Sequence, residues 1–236
     1  MKTYLPRFLL LASMSSLFAM SAYATVIEAV PFTIIKAGTY TLDGNLTYSG
    51  TSEAITVTAS SVVIDLKGFT LTGTGPTNGQ IAIYIQGPNN VTVQNGTITG
   101  FADGVDFQGG SQEVVQNLGV VNSGLSVIMQ GSSYSMIQNC SIVGTGLTGD
   151  FTTNSGIYLT SSLGIIVKNC QIANAAVGGF ADSGPGTNGN MFIANQLTSC
   201  GEGLDLGEGD QYQGNIQRLC GGFKGGIQVG LENGAN

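Results

Sequence analysis

Short runs of alternating apolar and polar residues recur along the chain, and each run leads to an asparagine. The clearest copy occupies residues 91–98, with the sequence VTVQNGTI, in which an apolar residue follows the asparagine by three positions. Successive asparagines are 22, 22, 30, 26 and 20 residues apart, and they are Asn95, Asn117, Asn139, Asn169, Asn195 and Asn215. A strand-forming unit that returns every twenty or so residues predicts a solenoid.

Two further registers accompany the asparagines. Five residues after each one stands a Gly or Asn, or in the last two copies Cys200 or Cys220. Gly and Asn tolerate positive φ, so this position predicts a corner of the coil. A strand led by glycine follows the corner, with one polar residue between apolar ones. Because neighbouring side chains of a strand point to opposite faces, we expect these polar residues to face outward: Asp106, Ser126, Tyr158 and Asp205.

The resulting prediction is an all-β fold without helices, because apolar residues recur with period two and glycines interrupt the pattern. Each repeat holds about three short strands, and one coil cannot bury its own apolar side chains. Stacked coils bury them in a continuous column. We therefore predict a single parallel β-helix over residues 25–236, with three short strands per coil and about eight coils.

The first 24 residues predict a secretory signal peptide. Lys2 and Arg7 precede an apolar run at 8–18, and small residues at 22–24 suit a cleavage site. The run is too short to span a bilayer. We therefore expect no membrane insertion and an exported protein, located in the periplasm, at the cell surface or outside the cell.

The charge balance excludes several classes of partner. The chain has 7 basic and 14 acidic residues, and removal of Lys2 and Arg7 leaves 5 against 14, a net charge of −9. Such a chain repels nucleic acid and anionic lipid. It also disfavours an acidic polysaccharide unless a cation bridges the two.

The candidate chemistry is limited because the chain has no histidine, which removes histidine-based triads and histidine-ligated zinc. Asp106 and Asp205 are candidate substrate-binding residues, but four coils separate them. At about 4.8 Å per coil they lie roughly 19 Å apart, too far to act on one glycosidic bond. Tyr158 is a third candidate, because an outward aromatic ring can stack on a sugar.

An acidic cluster near the C-terminus suggests a cation site. Asp205, Glu208 and Asp210, with Glu202 nearby, supply the oxygen ligands that calcium prefers. The spacing differs from that of the EF-hand loop. A solvated acidic corner that aids solubility is the alternative, and both interpretations stay open.

The four cysteines fall into two pairs in equivalent repeat positions. Cys140 and Cys170 each follow an asparagine, whereas Cys200 and Cys220 share the corner register. Stacking in adjacent coils would place each pair of Cα atoms about 4.8 Å apart, within disulfide range. We favour Cys200–Cys220 as a bridge, since parallel side-chain directions at Cys140 and Cys170 suit small buried residues better.

The repeat lengths, the asparagines and the opening segments 38–42 and 63–69 resemble the right-handed parallel β-helix superfamily. These are the pectin-lyase-like proteins, including exported bacterial right-handed β-helix proteins. The resemblance covers roughly residues 31–230. It implies that the insertions at 73–80, 145–154 and 182–190 flank a saccharide groove. It leaves the activity open, because the superfamily contains lyases, hydrolases, epimerases and adhesins.

Three functional hypotheses follow. The sequence favours a non-enzymatic exported protein that binds a polysaccharide or a cell-surface partner along its outward strands. A polysaccharide lyase or glycoside hydrolase, with calcium as a possible cofactor, is the second hypothesis. A structural or adhesive module is the third, with self-association through a C-terminal coil that residues 231–236 leave without a capping helix.

Overall fold

The computed structural model describes residues 24–146, 148–149, 151–182 and 188–229. Within them the chain forms 23 strands that pair only in parallel with the strands of the next coil. The predicted signal peptide lies almost wholly outside the described residues, and residues 231–236 lie outside them too. No helix in the described part of the chain is long and apolar enough to cross a membrane.

Three parallel sheets run along the solenoid, and each contributes one side of every coil. Sheet A contains β2 (Phe32–Ile34), β5 (Glu53–Val57), β8 (Ile81–Gln86), β10 (Asp103–Gln108), β12 (Leu125–Gln130), β15 (Ser155–Thr160), β18 (Val177–Ala181), the start of β21 (Glu202–Gln213) and β23 (Phe223–Gln228). Sheet B contains β1 (Thr25–Ile27), β3 (Gly38–Leu42), β6 (Val62–Asp65), the first parts of β9 (Val91–Thr99) and β11 (Val114–Val121), β13 (Met136–Gln138), β16 (Ile166–Lys168), β19 (Met191–Ile193) and the end of β21.

Sheet C contains β4 (Leu46–Thr47), β7 (Thr70–Thr72), the last parts of β9 and β11, β14 (Ser141–Val143), β17 (Gln171–Ala173), β20 (Gln196–Thr198) and β22 (Ile216–Arg218). Eight successive coils, from β2–β4 to β21–β22, visit the three sheets in this order. The predictions of three strands per coil and about eight coils are confirmed.

The core is a column of stacked apolar side chains between the sheets. In sheet C, for example, one fully buried row is formed by Leu71, Ile98, Val120, Ile142, Ile172 and Leu197. Burying one such side chain contributes about 1.5–3 kcal/mol relative to leaving it exposed. Since each coil supplies only part of the contacts, stability comes from stacking, as the sequence predicts.

The asparagine row is only partly as predicted. Asn95, Asn117, Asn139 and Asn169 adopt left-handed φ values of 51–59°, as expected for a corner. In the next two coils Ala194 and Gly214 take this place instead. Lys168 pairs with Ile193 and Gln171 pairs with Gln196, so the true step is one residue shorter than the step between asparagines. The prediction for Asn195 and Asn215 is therefore wrong by one position: both lie inside the coil, in the row of Cys140 and Cys170.

The same shift affects the second corner. Ser199 and Leu219 carry the positive φ there, and Cys200 and Cys220 follow one position later. The predicted stacking of cysteines in adjacent coils is confirmed, because Cys200 N–H donates to Cys220 Sγ at 3.3 Å and Gln171 N–H donates to Cys140 O at 2.9 Å. All four cysteines are free, so neither predicted bridge is formed in this structure.

Candidate functional site

The outer face of sheet A carries a straight row of side chains, one from each coil. Strand pairing aligns Thr56, Tyr84, Asp106, Ile128, Tyr158, Phe180, Asp205 and Lys224. Asp106, Tyr158 and Asp205 thus share one line on this face, and four strand steps separate the two aspartates. This agrees with the predicted separation of about 19 Å.

The outward position predicted for Ser126 is wrong. Val105 pairs with Val127, so Ile128 stands beside Asp106 and Ser126 is level with Gly104. Ser126 is fully buried. A Cβ built on Gly104 would lie 2.3 Å from the backbone oxygen of Ser126, which explains why this inward position takes small residues. The sequence pattern aligned two glycines, whereas the fold aligns Gly104 with a serine.

A pair of aspartates occupies the N-terminal half of this face. Asp106 is only 5% exposed, and Gln108 Nε2 donates to both of its carboxylate oxygens, at 2.8 and 3.0 Å. Burial raises the pKa of Asp106 to about 6, against the lowering effect of that hydrogen bond. Burial and the charge of Asp106 together raise the pKa of Asp103 to about 6. Sequence reasoning missed Asp103, although its spacing of three residues from Asp106 within one strand was a usable signal.

A second acidic pair occupies the same two positions four coils later. Glu202 and Asp205 stand where Asp103 and Asp106 stand on β10, as the strand registers show. Lys224 forms an ion pair with Glu202. Burial and then the charge of Glu202 raise the pKa of Asp205, and Lys224 opposes this shift. The two pairs therefore mark two anionic points on one face.

Three stacked aromatic rings lie between these points. The ring centroids of Tyr158 and Phe180 are 5.3 Å apart, and those of Phe180 and Phe151 are 4.4 Å apart, with interplanar angles of 15° and 9°. Phe151 belongs to the insertion at 145–154 and is 38% exposed. The stack fixes this loop above sheet A. Neither Phe151 nor Phe180 was predicted, because the loop position and the register near Phe180 were not readable from the pattern.

Buried amides close two of the insertion loops. Asn154 Nδ2 donates to the carbonyl oxygen of Thr148 at 2.9 Å and also to that of Gly146. Gln80, which precedes β8 as Asn154 precedes β15, accepts the N–H of Thr74 at 2.8 Å and is 1% exposed. The loops at 73–80 and 145–154 therefore border sheet A on the side of sheet C. Of the third insertion, at 182–190, only residue 182 and residues 188–190 are described, and they lie between β18 of sheet A and β19 of sheet B.

A groove of about 470 Å³ runs along the wall that Phe151 forms. Ala176 and Val177 line it with apolar side chains, and Glu202, Asp205 and Lys224 line it with charged ones. An apolar floor, an aromatic wall and a few polar groups form the usual composition of a small-molecule or sugar site. The groove lies at the C-terminal end of the outward row.

The structure does not bring the predicted calcium ligands together. β21 continues from sheet A into sheet B, so Asp205 faces outward while Asp210 points into the corner. Asp210 is fully buried, and its Oδ1 accepts the N–H of Asn190 at 3.0 Å. Burial raises its pKa to about 6. Among the described residues, no group of three or more His, Cys, Asp or Glu side chains could hold a metal ion. The predicted set of Asp205, Glu208 and Asp210 is therefore not formed as a site.

Comparisons with known proteins agree with the architecture. Residues 34–217 match the family model described as the right handed beta helix region. Among solved structures, the alginate lyase from Paenibacillus sp. str. FPU-7 is similar to this chain, with a TM-score of 0.61 and 14% sequence identity, over 82% of this chain and 77% of that chain. At this identity the likeness concerns the fold alone. Comparison with curated proteins gives no match. The predicted right-handed parallel β-helix is thereby confirmed.

Proposed function

Since the chain belongs to the family of the right handed beta helix region, we propose that it binds a polysaccharide along the outer face of sheet A, without cleaving it. The groove walled by Phe151 carries this proposal. A sugar ring offers apolar C–H groups to an aromatic side chain and hydroxyls to carboxylates, and the groove supplies both kinds of group. The proposal includes export, which residues 1–24 support.

The straight outward row supports an extended ligand. Its side chains repeat at about 4.8 Å along the solenoid, and Phe151 stands beside the row. A linear polymer can contact several coils at once, whereas a compact ligand would use only the groove. The anionic character of the chain disfavours uronate polymers, so the alginate named for the similar structure is not carried over.

The test is a glycan-array screen of residues 25–236, followed by titration of the best ligand against variants. We expect Phe151→Ala to weaken binding about tenfold, since an aromatic contact of this kind contributes on the order of 1 kcal/mol or more. Tyr134→Ala is the matched control, because Tyr134 is 69% exposed and lies away from the groove. An array without any bound glycan, or an equal loss in the control, would contradict the proposal.

The aspartate pair of β10 favours a second candidate function, hydrolysis or lyase cleavage. A carboxyl group with a pKa of about 6 can act as a general acid or base near neutral pH. However, neither Asp103 nor Asp106 lines the groove that carries the binding proposal. Binding is therefore the better-supported function.

Product release distinguishes the two functions. The mature protein is incubated with a polysaccharide panel, and reducing ends and unsaturated products are measured with and without chelator. We expect no release. Release that Asp106→Asn abolishes, in a variant that still binds the array ligand, would establish the enzymatic alternative and overturn the non-catalytic proposal.

A further inference from the structure

The outer side of sheet A is strongly anionic. Its described strands carry the half-buried Glu53, Asp103, Glu202 and Asp205 and the buried Asp106, whereas Lys224 is their only basic residue. Lys224 is already paired with Glu202. Within the described residues, no other strand packs on this outer side. A ligand that covers it must therefore compensate several negative charges.

The charges are grouped rather than spread evenly. The two acidic pairs stand in identical positions on β10 and β21, and three coils separate them. In the same two positions those coils carry Leu125 with Ile128, Ser155 with Tyr158, and Val177 with Phe180. Leu125, Tyr158 and Phe180 are half-buried, and the other three are buried. The face thus alternates an anionic point, an apolar and aromatic segment, and a second anionic point, and about 19 Å separates the two anionic points.

We infer that the ligand is a cationic polysaccharide, a linear polymer of amino sugars with protonated primary amines. This inference rests on the proposed function and names its substrate class. Ammonium groups would pair with the carboxylates at the two anionic points, and charge-assisted hydrogen bonds of this type contribute more than neutral ones. The sugar rings between them would lie over the apolar and aromatic side chains.

A basic polypeptide would satisfy the same charges, but the face suits it less well. Peptides usually bind sheets by adding a strand to an open edge, whereas sheet A presents side chains on this face and its strands are paired on both edges between β5 and β21. The aromatic wall and the groove fit a ring rather than an extended backbone. Polylysine therefore serves as the competing probe.

Titration calorimetry with matched oligomers tests the inference. The probes are a soluble glucosamine oligomer, its N-acetylated counterpart of the same length, a neutral glucan oligomer and polylysine. We expect the glucosamine oligomer to bind about tenfold or more tightly than its N-acetylated form, because acetylation removes the charge. This advantage should shrink as salt rises, since the pairs are partly exposed.

Variants locate the interaction. Asp106→Asn and Asp205→Asn should each reduce the preference for the amine form several-fold and leave the circular dichroism spectrum unchanged, which shows that the face is intact. Asp43→Asn, in the exposed turn between sheets B and C, should change neither. Equal affinity for both forms overturns this inference and leaves the proposed function standing. Binding of no oligosaccharide overturns both, and binding of polylysine alone points to a peptide ligand.

Discussion

At the scale of single residues, buried side chains at the corners replace the hydrogen bonds that turning backbone cannot make. Asn190 Oδ1 accepts the N–H of Ile165 at 2.9 Å, and Asp210 Oδ1 accepts the N–H of Asn190 at 3.0 Å. An unpaired buried N–H would cost about 1–3 kcal/mol. The function of these polar residues is therefore structural, although the sequence predicts Asp210 as a calcium ligand.

Asp65 has a similar role on the outer side of sheet B. Gln138 donates to Gln116 at 2.8 Å, Gln116 donates to Gln94 at 2.7 Å, and Gln94 donates to Asp65 Oδ2 at 3.1 Å. The neighbouring row of exposed asparagines ends on the same oxygen, through Asn95 Nδ2 at 3.1 Å. One carboxylate thus accepts from two amide rows, because amides that donate in one direction need a final acceptor.

Asp210 predicts a pH dependence of stability. Its pKa of about 6 lies above the ordinary value of 3.8, so its stabilising contribution is present below about pH 4 and is lost as pH rises through 6. A shift of about two units corresponds to about 3 kcal/mol. We expect Asp210→Asn to stabilise the protein at pH 8 by up to this amount and to change little at pH 4. Asn190 occupies the equivalent place one coil earlier, so an amide fits.

Thermal unfolding of the variant and the parent across pH 4–8 measures this difference. The other titrating groups, including Asp103 and Asp106, are present in both proteins. Their contributions therefore cancel in the difference in stability between variant and parent. A difference that stays constant with pH would contradict the assignment to Asp210.

At the scale of elements, the loop at 145–154 depends on one buried amide. Asn154→Ala would leave the carbonyl oxygens of Gly146 and Thr148 without their donor, and we expect a loss of about 1–3 kcal/mol in loop stability. Because the loop carries Phe151, ligand affinity should fall with it. Gln80→Ala is the matched control, since it opens the other loop and leaves Phe151 in place.

Limited proteolysis at 145–154, together with titration of the ligand, reads out both effects. Faster cleavage with unchanged affinity would show that the loop does not form a wall of the site. An equal loss of affinity in the control variant would place the ligand elsewhere.

The core column also contains a tightly packed pair of residues, Gly179 and Phe192. Gly179 occupies an inward position of sheet A, and a Cβ built there would lie 2.6 Å from the Phe192 ring. We expect Gly179→Ala to destabilise the protein by about 1–3 kcal/mol through overpacking. In a Phe192→Leu background the same change should cost much less. A double-mutant cycle on chemical unfolding measures the coupling, and additive effects would contradict this packing account.

Strands and corners were predictable where one residue type always occupied the same position in the coil. The alternation in 91–98 predicted the strands, and the asparagine row predicted the corners correctly as far as Asn169. Beyond it, Ala194 adopts the left-handed corner and Asn195 turns inward, since an asparagine satisfies either environment. Ser126 shows the same limit, because a small serine replaces glycine at a tight inward position. Residue type alone does not separate these cases.

At the scale of the whole molecule, the solenoid explains which parts of the site were foreseeable. Asp106, Tyr158 and Asp205 lie on one line because every coil contributes one outward residue to sheet A, and this followed from the period. The position of Phe151 could not be predicted from the period, because an insertion loop does not repeat from coil to coil. The predicted calcium ligands are not grouped among the described residues, because β21 crosses a corner between Asp205, on the outer face, and the buried Asp210.

At the buried corners, backbone N–H groups of one coil donate to side chains of the next coil, namely Ser135, Ser162, Asn190, Asn195, Asp210 and Asn215. The amides of Asn190, Asn195 and Asn215 also donate back to carbonyl oxygens of the earlier coil. The corner N–H groups of each coil in this region thus find their acceptors on its successor. In a chain that emerges N-terminus first, the corner N–H groups of the newest coil would lack their acceptors until the next coil folds onto it. The coils would therefore be added one at a time, and the last coil would always be the least stable.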